Sequence, residues 1–101
     1  MMQAPREAAI VASILRWLNR QPGVKAVKTH GGPLNAGQPD ITGCVRGRRF
    51  DIEVKRPGGK PTKLQLRRLK EWKEAGSIVG VVYSLDDVKE LLGPFLGSDG
   101  P

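Results

Sequence analysis

Apolar residues recur along this chain with two different periods, and the changes between them mark out seven elements. Glu7, Val11, Ile14 and Leu18 fall on one helical stripe, with Ile10 and Trp17 beside it. Pro5 suits the first turn of that helix and Glu7 suits the positive end of its dipole. Pro22-Gly23 should stop it around Asn19 to Gln21. From Val24 to Thr29 apolar and basic residues alternate, which predicts a short strand. His30 to Gly37 has the composition of a loop. Asp40 to Val45 and Arg49 to Lys55 then read as two strands of a hairpin joined at Arg46-Gly47-Arg48.

Arg56 to Pro61 is a second loop. Thr62 opens a helix in which Gln65 takes the capping-box position, Leu66, Leu69 and Trp72 supply the buried side, and Gly76 terminates. Ile78 to Tyr83 is almost wholly apolar, the pattern of a central strand covered on both faces. Ser84, with Asp87 three residues on, caps a last helix carrying Leu85, Val88, Leu91 and Leu92. The Gly- and Pro-rich tail from Gly93 should fray. The order αβββαβα predicts a single α/β domain over residues 1–101, a small mixed sheet flanked by helices, with about 93–101 a flexible tail. Neither a Gly-x-x-x-x-Gly-Lys loop nor a Gly-x-Gly-x-x-Gly turn is present, so nucleotide-binding folds lose ground.

Bulk properties narrow the function. The chain has 101 residues, 39% of them hydrophobic, enough for one modest core. No apolar run approaches the roughly 20 residues of a membrane span, and the acidic Glu7 near the start argues against a secretory leader. Cys44 is the only cysteine, which excludes an internal disulfide and a thiolate zinc cluster and suits a reducing, cytoplasmic setting. Its expected role is a small packed side chain. The net charge is +7, and eleven of the basic residues lie between Arg46 and Lys73 against Asp51, Glu53 and Glu71 alone. That block brackets the most unusual polar pattern in the chain, which points to a phosphate-tracking surface beside an acidic site.

The pattern is Pro39-Asp40, twelve residues, then Glu53-Val54-Lys55. Phe50, Ile52 and Val54 make one strand face apolar, so Asp51, Glu53 and Lys55 share the other. Phosphodiester hydrolysis needs charge neutralisation, an activated water and help for the leaving oxygen. A hard cation held by two or three oxygens supplies much of this. Asp40 and Glu53 are the carboxylate pair, the Val54 carbonyl is a further oxygen, and Lys55 can orient or deprotonate water. Each residue also has a plain structural reading. Asp40 can cap a turn, Glu53 and Lys55 can pair at a surface, Glu7 can complement its helix dipole, and Gln65 can serve the capping box with Thr62.

Taken together, Pro39-Asp40, Glu53-Val54-Lys55 and Gln65 resemble the PD-(D/E)XK nuclease superfamily, and most closely its VRR-NUC family. The similar stretch runs from about Gly31 to Val88, with Glu7 a further match. The resemblance implies a restriction-endonuclease-like α/β sandwich and a Mg²⁺- or Mn²⁺-dependent DNA nuclease. It implies Glu7, Asp40, Glu53 and Val54 around the metal, with Asp40, Glu53, Lys55 and Gln65 as the catalytic group. Stand-alone members of bacterial or phage type are expected to form homodimers and act on branched DNA such as four-way junctions. The loop after Lys55 lacks an acidic residue, a departure that puts loop contacts in doubt. Arg56, Lys60, Lys63, Arg67, Arg68 and Lys70 are the expected phosphate contacts. A DNA-binding module without chemistry, a flap, nick or single-strand nuclease, and an interaction subunit for acidic proteins are the competing readings. His30, a tempting base, is expected to be incidental, the two tryptophans are expected to pack, and an apolar surface at Val88, Leu91, Leu92 and Phe95 is the candidate for self-association.

Overall fold

The computed structural model describes residues 6–97. Its elements follow the predicted order: α1 (Glu7–Leu18), β1 (Val24–Lys28), β2 (Ile41–Val45), β3 (Arg48–Val54), α2 (Lys63–Glu74), β4 (Ile78–Val82) and α3 (Leu85–Leu96). A short 3₁₀ turn, Pro33–Asn35, interrupts the loop after β1. The strands form one mixed sheet in the order β1-β2-β3-β4, antiparallel until the final parallel pair. This is the α/β sandwich expected of a restriction-endonuclease-like fold. Arg6 precedes the first helix as its N-cap without a side-chain cap bond; the role expected of Pro5 lies outside the described residues.

Local chemistry explains most boundaries. Arg46 (φ 49°) and Gly47 (φ 83°) form a two-residue turn with both residues left-handed, which matches the right-handed strand twist. Val45 therefore pairs directly with Arg48, and β3 begins one residue earlier than expected. Thr62 Oγ1 accepts the Gln65 N–H at 3.1 Å while Gln65 Oε1 accepts the Thr62 N–H at 2.8 Å, a complete capping box. Ser84 caps α3, and the Asp87 carboxylate accepts the Tyr83 N–H one residue further back.

Residues opposite one another across strands share a sheet face, so Ala26, Gly43, Phe50 and Ile78 line one side. Helices α1 and α3 pack on that side and close the core around Ile14, Leu18, Ile41, Phe50, Ile52, Val88 and Leu92. Helix α2 lies on the opposite side, over β3 and β4. β3 is thus buried on both faces from Phe50 to Val54.

Several expectations need correction. β4 is covered by helices on both faces, but it is an edge strand; the central, doubly buried one with charged residues is β3. An apolar run reports coverage of faces and carries no information about lateral neighbours. Along α2 only Leu69 is buried, and Leu66 is half exposed, because that helix covers only part of the sheet. For the same reason Cys44, on the bare stretch of β2, is exposed rather than packed. Val88 and Leu92 point into the core and cannot form a self-association surface; Leu91 and Phe95 are half-buried. Residues 93–96 are helical rather than frayed. Phe95 and Leu96 pack against the core, and Arg46 Nε donates to the Leu96 carbonyl at 2.8 Å, satisfying the helix end despite Pro94.

Two glycines test the packing of the sheet. A Cβ at Gly43 would strike the Lys25 carbonyl oxygen and lie 2.8 Å from Phe50 Cζ and 2.9 Å from Ala26 Cα, where backbone cannot yield. At Gly80 it would meet the flexible end of Leu91 at 2.8 Å. Gly43→Ala should cost about 3 kcal/mol and Gly80→Ala roughly 1 kcal/mol or less in urea unfolding. Equal costs would show that the β1–β2 approach is looser than described.

Candidate active site

The segment entering β2 is held from three directions. Gly37 is left-handed (φ 76°), and Leu64 of α2 occupies the space its missing side chain leaves. Trp72 Nε1 donates to Gln38 Oε1 at 2.9 Å. The Thr29 N–H donates to the Asp40 carbonyl at 2.8 Å. Asp40 then turns its side chain to the sheet, where Oδ2 accepts the Val54 N–H at 2.8 Å. A carboxylate in this position ties the start of β2 to the end of β3.

On β3 the face toward α2 carries Arg49, Asp51 and Glu53. Asp51 and Glu53 are each 1% exposed, yet their surroundings differ. Asp51 accepts from Arg49 at 2.9 and 3.2 Å and from the Ser77 hydroxyl at 2.6 Å. Arg49 in turn stacks over Trp72, 3.6 Å from the ring centroid. This network braces β3 against α2 and β4. Neither oxygen of Glu53 has a hydrogen-bond partner. Lys55 Nζ, mostly buried, stands 3.4 Å from Glu53 Oε2 as an ion pair without hydrogen-bond geometry. Burial pushes the Glu53 carboxyl up to about 8, Asp40's negative charge adds to the rise, and Lys55 opposes it.

Asp40, Glu53 and Lys55 are therefore brought together at the end of β3. Glu7 is half-buried at the start of α1, and among the described residues no third acidic, His or Cys side chain completes a cluster with Asp40 and Glu53. Gln65 commits its amide oxygen to the capping box. The Val54 N–H is the group that touches Asp40. Of the expected phosphate contacts, Arg68 pairs with Glu71 at 3.0 Å and Lys70 lies 4.0 Å from Glu74. Arg56, Lys60, Lys63 and Arg67 are exposed and take part in none of the ion pairs among the described residues. His30 is exposed, and its carbonyl accepts from Asn35. The support supplied by Gln38, Trp72, Arg49 and Ser77 had no sequence signal, since Gln38 and Trp72 are 34 residues apart.

Two neighbouring carboxylates, one with neither oxygen hydrogen-bonded, present hard oxygen donors of the kind taken by a divalent cation that retains several waters. In metal-free protein Glu53 has a cost. Its folded pKa, about 8, lies above the ordinary 4.5, so between those values the native state holds more protons than the unfolded chain. Stability should fall as pH rises from about 5 to about 8, by on the order of a few kcal/mol. Glu53→Gln should flatten that slope and raise the metal-free melting temperature at pH 8. An unchanged profile in thermal melts across this range would show that Glu53 is not the buried acid responsible.

No protein-family model matches the sequence, and no curated protein matches it. Solved structures do. One described as "VRR_NUC domain protein" superimposes with a TM-score of 0.72 at 18% identity, over 95% of this chain and 93% of that one; at that identity it speaks for the fold. Another, described as "VRR_NUC domain", gives a TM-score of 0.73 at 26% identity, over 89% of this chain and 97% of its own. The chain thus shares almost end to end the fold of solved VRR_NUC domain structures, with Asp40, Glu53 and Lys55 assembled on it, a likeness that supports the VRR-NUC resemblance of its motif.

Proposed function

We propose that this protein is a Mg²⁺- or Mn²⁺-dependent DNA endonuclease that hydrolyses phosphodiester bonds as a homodimer and prefers branched DNA such as four-way junctions. The VRR-NUC likeness supports a nuclease-family function. The observation that carries the metal-dependent reading is the contrast on β3, where one buried carboxylate is fully hydrogen-bonded and the next has only the Lys55 ion pair and no hydrogen bond. Leaving a buried carboxylate without hydrogen bonds is costly, so its presence here fits a ligand role.

When bound, the cation would polarise the phosphoryl oxygen and lower the pKa of water. Asp40 and Glu53 would hold it. The Val54 N–H fixes the Asp40 carboxylate, leaving its second oxygen available. Lys55 reaches the same space from a mostly buried position, which suits it to orient the attacking water and offset charge growing on the phosphate. Its backbone N–H is anchored to the Val82 carbonyl at 2.9 Å, so the ammonium is carried on a rigid strand end. Gln65, whose amide oxygen is taken by its cap, would offer its amide nitrogen to the substrate. The unpaired Arg56, Lys60, Lys63 and Arg67 would follow the phosphate backbone, giving affinity with little sequence preference.

Cleavage of labelled four-way junction, flap and linear duplex DNA tests this reading. Lys55→Ala and Asp40→Asn should each lose about 10²–10⁴-fold in cleavage rate while folding normally. Mg²⁺ or Mn²⁺ should raise the melting temperature of the wild type but not of Glu53→Gln. Tight DNA binding without cleavage in either metal would replace the nuclease by a binding module. Equal cutting of junction and linear duplex would remove the junction preference alone.

A further inference from the structure

β4 closes the sheet at one side, and its outer edge has no strand beside it among the described residues. The Lys55 N–H donates to the Val82 carbonyl. Along a strand, backbone groups alternate in direction, so Ile78, Gly80 and Val82 face β3 while Val79 and Val81 turn their N–H and C=O groups outward. The segment Ile-Val-Gly-Val-Val has no charge or proline, the usual means of blunting an edge.

We propose that a second copy of this chain pairs antiparallel with this edge, about a twofold axis at Gly80, joining the two four-stranded sheets into one. This inference rests on the homodimer proposed above and assigns its surface. The register follows from which groups point outward. Val79 of one copy would lie opposite Val81 of the other, each pair exchanging both hydrogen bonds. Gly80 would face its own counterpart in the close, non-hydrogen-bonded position, with the half-buried Leu91 covering the axis.

Charge argues for a second copy rather than an unrelated strand. The C-terminal half of the β4 edge is flanked by Asp87 and Glu90, in a depression also lined by Leu91. Its N-terminal half is flanked by Arg48 and Lys73. Antiparallel pairing keeps the two α3 helices on one side of the joined sheet and brings Glu90 of each copy toward Arg48 of the other, twice per dimer, with Lys73 on the α2 side. Parallel pairing would set acid against acid.

Sedimentation equilibrium of the full chain at micromolar concentration reads the association directly. Val81→Pro removes only an outward N–H, a substitution edge strands accept, and should yield a monomer with an unchanged circular dichroism spectrum. Glu90→Arg and Arg48→Glu should each weaken the dimer about tenfold or more, and the double variant should restore it. The charge pair keeps the test intact if the proline variant fails to fold. A wild-type monomer would overturn both the dimer and this surface while leaving the cleavage results untouched. A dimer that survives Val81→Pro, or a double variant that restores nothing, would overturn this surface alone.

Discussion

Strand β3 carries two carboxylates through the interior, Asp51 and Glu53, each 1% exposed. Taking an ionised carboxylate out of water costs several kcal/mol unless partners replace the lost hydration. The protein meets that demand fully at Asp51. A guanidinium, a hydroxyl and the aromatic ring beneath the guanidinium converge there, drawing on β3, α2 and the residue before β4. Two residues along, it leaves the demand unmet. The arrangement makes the first position a rivet and the second a socket.

The rivet explains how the socket stays in place. Trp72 stacks with Arg49 on one side and donates to Gln38 on the other, so the network around Asp51 extends to the turn that delivers Asp40. Asp40 then closes back onto β3 through the Val54 N–H. Asp40 is held by backbone hydrogen bonds and by the Trp72–Gln38 contact behind it, and Glu53 by its place on the buried strand. That matters because burial first, and the negative charge of Asp40 second, push the Glu53 carboxyl up. Lys55 offsets part of the repulsion from the rim, where its ammonium keeps some access to solvent.

Asymmetry of coverage shapes the outer surface. Helices α1 and α3 close one side of the sheet, whereas α2 spans only β3 and β4 on the other. Lys25, Val27, Thr42 and Cys44 are left lining a shallow groove next to Arg49, on the side where the site opens. The free basic residues Arg56, Lys60, Lys63 and Arg67 lie on the loop after β3 and the first turns of α2, the segments nearest the end of β3 in the chain. Basic charge is thus concentrated on the segments that directly follow the carboxylate-bearing strand.

Local order was legible from the sequence because its causes are local. Periodicity placed all seven elements, Thr62 and Gln65 marked the capping box, and Pro39-Asp40 with Glu53-Val54-Lys55 singled out the three side chains that the fold assembles. Lateral order, partial coverage and long-range partnership belong to the tertiary structure. An apolar run such as Ile78–Val82 reads alike in a central strand and in an edge strand flanked by helices, so only the sheet order decided it. Leu66 and Cys44 match buried patterns, yet α2 stops short of covering them. The motif marked Glu53, but that Asp51 beside it is fully satisfied while Glu53 is not depends on a serine 26 residues from Asp51 and an arginine held by stacking. Spacing along the chain can place a carboxylate on a face, but whether it is satisfied depends on atoms that only folding brings near.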